Sequence, residues 1–283
     1  MTWQILIALS ITFFSISILL QRLILRENNS KPIAFSIFFQ FLTGILITIS
    51  GFLLGNMVFP NIVPLIPNLL LMIVLYTFAN IFIFKSLKEI EASKYTIIFA
   101  TRALFTILAS TLILSEGLTI KQLGGTLFIL LGVIIVSIES TKFSFKKGEL
   151  FALLGAIGFG FANTNDRFLL STFNIYPYMS VIFISPAIFM AFIYPKELKH
   201  IKLFLHKSFF KKALLLCVIY ALSAITFFGA LKIADNSSQV ISVNLTSVIT
   251  TVLLSIIFLK ERSHIIKKLA GAIITFIGLF LIG

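Results

Sequence analysis

The chain of 283 residues predicts an all-α integral membrane protein: ten transmembrane helices laid out as two inverted repeats of five. Three observations carry that prediction. The composition is 59% hydrophobic and 12% charged, with a mean hydropathy of +1.09, whereas a soluble domain carries about 25% charged residues. Apolar runs recur at the length a helix needs to cross a bilayer, about 17–25 residues. Residues 84–140 are also echoed about 145 positions later. Lys-Ser-Leu-Lys at 85–88 answers to Gly-Ala-Leu-Lys at 229–232, Leu-Ser-Glu at 114–116 to Leu-Lys-Glu at 259–261, and Gln-Leu-Gly-Gly at 122–125 to Lys-Leu-Ala-Gly at 268–271. Gly132 answers to Gly278, and upstream Arg22 pairs with Arg167, Pro32 with Pro177 and Tyr76 with Tyr220.

The first run, roughly 3–20, has no Lys or Arg before Arg22. It lacks the basic start and small-residue cleavage site of a secretory signal, so it reads as a retained helix. The remaining spans fall at roughly 33–54, 65–84, 95–115, 123–138, 149–170, 177–194, 213–231, 239–259 and 268–283. Runs this long and continuous exclude a β-barrel, whose strands are short and alternating. The first repeat covers 1–141, a linker 142–148, and the second repeat 149–283. The longest connection, 195–212, reads as a basic loop or amphipathic surface helix, which leaves no room for a soluble catalytic domain.

Loop charge sets the orientation. Loops after spans one, three, five, seven and nine hold 19 Lys and Arg; loops after two, four, six and eight hold 3. Positive loops stay cytoplasmic, so both termini are expected outside the cell, in a plasma or inner membrane. Each copy holds an odd number of spans, so the second must insert upside down, as in alternating-access transporters. The charge pattern agrees, because it reverses between copies while the apolar pattern repeats. The three exceptions, Lys121, Arg167 and Lys232, align with Lys267, Arg22 and Lys88 on the cytoplasmic side. The net charge of +13 is thus distributed for a lipid bilayer and not for nucleic acid.

Polar residues inside the spans are the candidate site. In span three, Tyr76 and Asn80 are four apart and share a helix face. Tyr220, the repeat mate of Tyr76, is placed in span eight, so the two tyrosines either flank a central cavity or mark an interface. Arg102 stands about eight residues into span four. A charge at that depth costs roughly 2.5–3.5 kcal/mol on insertion scales and needs a polar partner or water. It reads as a cavity cation suited to a carboxylate, or as a structural or snorkelling arginine. In span six, Asn163 and Asp166 are three apart on one face while Asn165 points elsewhere; the alternative is that Asp166 and Arg167 mark the membrane surface. In span nine, Asn244, Ser247 and Thr251 share a face, a pattern that also serves close helix packing. An offset of 144 sets Asn244 and Thr246 against Ala100 and Arg102.

Other features read as scaffold. Gly51 with Gly55, and Gly155, Gly158 and Gly160, suit helix packing. Glu116 and Glu261 read as ends of spans four and nine. Cys217 lies alone in span eight as a buried apolar residue. His200, His206 and His264 lie in basic loops and assemble no metal site, and no phosphate-binding glycine loop is present. No cofactor is called for.

The stretch 114–137, with its second copy at 259–263 and the following Lys-Leu-Ala-Gly-Ala-Ile-Ile-Thr-Phe-Ile-Gly, resembles the EamA-type drug/metabolite transporters. The resemblance implies a 5+5 inverted repeat with a central cavity lined by helices one, three, four, six, eight and nine, helices five and ten being peripheral. Two departures stand out. The loop at 55–64 carries no charge where many ten-helix relatives are basic. Helix one offers only Ser10, Thr12, Ser15, Ser17 and Gln21 where small multidrug relatives carry a proton-coupling glutamate. The expected function is a secondary transporter, an exporter, of a small-molecule solute such as an amino acid or related carboxylate. Binding is expected near Arg102 and Asn244. The alternative is a non-transporting membrane scaffold or regulator; an enzyme is not expected.

Overall fold

A computed structural model of the chain describes residues 2–27, 30–54, 56–114, 119–139, 142–143, 146–233, 240 and 243–282. The helices are α1 Trp3–Leu25, α2 Pro32–Leu53, α3 Ile66–Glu89, α4 Ala92–Phe99, α5 Arg102–Leu114 and α6 Ile120–Ser137. They continue as α7 Lys147–Leu170, α8 Ile175–Ile193, α9 Lys202–Leu205, α10 Lys207–Ile233, α11 Ser247–Phe258 and α12 Ile265–Ile282. A two-residue ladder, Ile138–Glu139 against Lys142–Phe143, joins the halves. Eight spans among the described residues are long and apolar enough to cross a membrane, α4 and α5 crossing together as one. α11 is apolar but shorter. α7 has a full crossing length of 24 residues but carries charged residues near both ends, Lys147 and Glu149 at one and Asp166 and Arg167 at the other.

Outward faces are apolar, as lipid demands: Leu53, Phe192, Ile120 and Ile266 are each more than four-fifths exposed. Several serines and threonines within the helices satisfy their own hydroxyls locally. Thr48, Ser50, Thr96, Ser180 and Ser185 donate their hydroxyls to carbonyls four residues back, closing the donor inside the helix.

Helix pairing is regular. α1 packs on α10 and α3 on α7; α1 meets α11 and α5 meets α7; α2 packs on α8 and α6 on α12. The α6–α12 seam rests on glycines, since close backbone approach is what drives helix association in lipid. A Cβ on Gly125 would fall 2.5 Å from the Gly278 carbonyl, and one on Gly278 would fall 2.6 Å from that of Gly125. Gly132 and Gly271 are related in the same way at 2.8 and 3.0 Å. The span-six glycines also serve packing: a Cβ on Gly158 would lie 2.8 Å from Phe78, and one on Gly160 would lie 2.7 Å from the Arg102 carbonyl. Gly51 abuts Tyr176, while Gly55 lies outside the described residues.

Span four is broken where the sequence suggests one continuous helix. Thr101 and Ala103 donate their N–H groups to carbonyls three residues back, and the Thr101 hydroxyl turns to the Ile98 carbonyl at 2.7 Å. The chain repeats this at Thr246, whose N–H and hydroxyl both reach the Val243 carbonyl, at 3.1 and 2.7 Å. Matching these two turns pairs Thr101 with Thr246, an offset of 145. That corrects the register of 144 by one residue: Arg102 corresponds to Ser247, and Asn244 to Phe99. The break also separates Asn244 from the helical face of Ser247 and Thr251, and Thr251 instead donates to Ser15 at 3.0 Å.

The connection 195–205 is a 3-10 turn, Pro195–Ile201, followed by α9. It is anchored by Phe204, fully buried against Phe35 with ring centroids 5.2 Å apart.

Candidate functional site

A cavity of about 320 Å³ lies among α1, α2, α3, α5, α7, α8, α10 and Asn244. All seven residues singled out from sequence, Tyr76, Asn80, Arg102, Asn163, Asp166, Tyr220 and Asn244, line it. Phe39 and Gln40 of α2 and Tyr178, Met179, Ile182 and Phe183 of α8 line it too, so spans two and seven join the six that the resemblance implies. α6 and α12 contribute nothing to the wall.

Asp166 sits four residues before the end of α7 and faces the cavity. Its Oδ2 accepts the Tyr76 hydroxyl at 2.5 Å and its Oδ1 accepts the Tyr178 hydroxyl at 2.5 Å. One carboxylate therefore ties α3, α7 and α8 together, through charge-assisted bonds of the stronger kind. Asn165, on another face, donates to the Asn68 carbonyl at 2.9 Å.

Arg102 opens α5, immediately after the break. Its guanidinium lies 4.7 Å from the Phe99 ring centroid and 5.7 Å from that of Phe159. Among the described residues it makes no ion pair or side-chain hydrogen bond, so its five N–H donors remain available to a ligand. The aromatic faces offset part of the cost of holding that cation in a span.

Neutral amides complete the polar wall. Asn80 donates to Gln40 Oε1 at 3.1 Å and to the Tyr76 carbonyl at 2.8 Å. Asn163 Nδ2 reaches the Thr106 hydroxyl at 3.4 Å, and that hydroxyl donates to the Gly160 carbonyl at 3.1 Å. Ser10 and Ser223 exchange hydroxyl-to-carbonyl bonds at 2.9 and 3.1 Å, stapling α1 to α10. Tyr220 packs edge-on against Phe39 and Phe183, at 5.1 and 5.7 Å, on the aromatic side of the cavity.

Tyr178 is the lining residue that sequence reasoning missed most consequentially. It follows Pro177 near the start of a span, where an aromatic ring reads as an interfacial anchor. Gln40 carried a usable signal, an amide inside an apolar span.

The cavity occupies the half of the bundle away from the basic loops, and the basic end is closed. Arg22 donates to the Leu87 and Lys88 carbonyls at 2.8 and 2.6 Å, and Lys88 to the Ser30 carbonyl at 2.6 Å. Lys94 pairs with Glu149, and Lys268 with Glu91. Glu261 does not simply end span nine: its carboxylate accepts from the Ala92 and Ser93 amides at the start of α4, at 2.8 and 3.0 Å. Its repeat mate Glu116, like Arg167's side chain, lies outside the described residues. Beneath this network, Ile24, Leu25, Phe35, Phe84 and Leu87 form a fully buried plug.

Among the described residues no group of three or more His, Cys, Asp or Glu is placed to hold a metal. Cys217 is buried, with its thiol 3.7 Å from the Phe39 carbonyl.

Comparison with known proteins gives a family match and matches among solved structures. The model of the EamA-like transporter family matches residues 1–138 and again 146–283. A solved structure described only as "Crystal structure of protein" superposes with a TM-score of 0.62, covering 96% of this chain and 94% of its own, at 16% sequence identity. That likeness concerns the fold alone. No curated protein matches the sequence.

Proposed function

The chain belongs to the EamA-like transporter family, and on that footing we propose that it is a secondary transporter exporting small polar metabolites, with amino acids and related carboxylates as the solute class. The observation that carries this reading is the Arg102 guanidinium, without a polar partner among the described residues, on the wall of a cavity of about 320 Å³. A planar fork of N–H donors matches a carboxylate in two places at once. Asn244, Asn80, Asn163 and Tyr220 would bind the remaining polar groups, and Tyr76 and Asp166 would receive a donor such as an ammonium at the far wall. The phenylalanines leave room for an apolar side chain.

Movement would follow alternating access of two inverted halves, 1–141 and 149–283, in a ten-helix 5+5 arrangement. Three features support the inversion: the reciprocal glycine contacts of α6 and α12, the matched helix pairs, and the twin turns at Thr101 and Thr246. With the basic loops cytoplasmic, both termini lie outside and the cavity faces outward.

The test is counterflow in proteoliposomes loaded with a panel of amino acids, other carboxylates and their methyl esters. Exchange of free carboxylates and not of esters is expected. If no solute of any charge exchanges under any gradient, the transport reading fails and a scaffold role takes its place.

A further inference from the structure

We propose that Glu261 is a positioning residue that holds the basic end shut by capping α4, a reading that rests on the two-state movement above. Glu261 belongs to the connection between α11 and α12, yet both its oxygens are committed to a helix of the other half. Oε1 accepts the Ala92 N–H at 2.8 Å; Oε2 accepts the Ser93 N–H at 3.0 Å and the Ser93 hydroxyl at 2.7 Å. First-turn amides have no partner within their own helix, and the helix dipole favours an anion there. Glu261 is only 7% exposed, so solvent screens these bonds little.

The connection is bent to make this contact. Lys260 at φ 55° and His264 at φ 48° are the two non-glycine residues with positive φ among those described, and they bracket Glu261 closely. Side chains with a Cβ resist that conformation, so it persists only where surrounding contacts enforce it. A second fastening runs alongside: Lys268 donates to the Glu261 carbonyl at 2.9 Å, and the Ser263 hydroxyl contacts the two Glu91 oxygens at 2.9 and 3.0 Å.

α4 is what gives the cap its reach. It is eight residues long and runs from the cap to Phe99, the ring beneath the Arg102 guanidinium. Cap and cavity are thus opposite ends of one half-helix. Opening a path to the basic side requires α4 to part from the α11–α12 connection, which breaks the three Glu261 bonds together.

The test uses the full chain in membrane vesicles with Cys217→Ala, which removes the single cysteine. One reporter cysteine is then added at a time: Ser255→Cys, fully buried on α11 beneath the cap, or Ala224→Cys on the cavity wall. A membrane-impermeant maleimide is applied to each face in turn. Glu261→Gln keeps the shape and loses the charge. It should raise labelling at 255 from the basic face by about tenfold, the weight of one charge-assisted hydrogen bond, while labelling at 224 from the opposite face falls. Ser93→Ala, a milder change should Glu261→Gln fold poorly, should move both rates the same way, and Glu261→Asp should restore part of the difference. Loosening of the fold would raise both rates; that outcome, or no change in either, overturns the proposal. The assay needs no solute, so failure here with carboxylate counterflow intact removes the latch and leaves the transport reading standing.

Discussion

Arg102 and Asp166 line one cavity and do not pair with each other. The carboxylate is already satisfied, one oxygen by Tyr76 and the other by Tyr178, while the guanidinium rests on aromatic faces and keeps its donors unused. Opposite charges brought together inside a protein usually neutralise one another, because an isolated charge in low dielectric is costly. Here each Asp166 oxygen has a tyrosine donor and one lone pair to spare, so the group left wholly without a polar partner among the described residues is the guanidinium, which calls for an anion.

Arg102→Ala should therefore raise the KM for a carboxylate solute by roughly 10–100-fold, the weight of a charge-assisted bond, with less effect on maximal rate. Arg102→Lys should recover only part of that loss, because a point charge cannot reproduce the planar fork. Counterflow at varied solute concentration measures both. An Arg102→Ala protein with unaltered KM would remove the guanidinium from the binding site.

Tyr178→Phe deletes one hydroxyl and leaves one Asp166 oxygen without its donor. Losing that partner should cost about 1–3 kcal/mol of stability, seen as a lower Tm in detergent. Tyr76→Phe should behave alike, since each hydroxyl holds a different oxygen of the same group. The double variant should lose less than the sum of the two, because both act on one carboxylate. Strict additivity would mean that the three residues do not act as a unit.

Much of the cavity was legible in the sequence for a simple reason. A polar side chain inside an apolar span must face protein or water, so Tyr76, Asn80, Arg102, Asn163, Asp166 and Asn244 could be picked out one by one. What stayed hidden depends on contacts distant in sequence or on local backbone choice. Tyr178 was not singled out, because nothing near it in sequence announces its contact with Asp166 in the neighbouring span. The turn at Ala100–Thr101 contains neither Gly nor Pro, the usual marks of a kink. Its register only emerges when the Thr101 and Thr246 bonds are compared. Glu261 was read as the end of its own helix because its partners, Ala92 and Ser93, lie about 168 positions upstream.

Gly132 should tolerate no side chain. A Cβ there would fall 2.1 Å from the Thr275 hydroxyl and 2.8 Å from the Gly271 carbonyl, and a backbone carbonyl cannot step aside. Gly132→Ala should cost about 1–3 kcal/mol through overpacking of the α6–α12 seam. Gly124, one helix face away, has nothing within 4 Å of its added Cβ, so Gly124→Ala should leave Tm unchanged or raise it. Thermal unfolding of the pair in one detergent decides the matter, and equal losses at both positions would argue against the seam.

Orientation carries the last prediction. The closed end holds Arg22, Lys88, Lys94 and Lys268 near the ends of their helices, and these do more than count as charges: each is tied to a carbonyl or carboxylate of a neighbouring element. Positive loops are retained in the cytoplasm during insertion, so this end should face inward. A phosphatase or fluorescent reporter fused after Gly283 should then behave as extracytoplasmic. Moving charge should move topology: replacing Arg22, Arg26 and Lys31 with neutral residues while adding lysines to the uncharged loop at 56–62 should shift part of the population to the opposite orientation. A cytoplasmic reporter in the unaltered protein would instead place the cavity on the inner face, which would make the state described here the loading state of an exporter and not its release state.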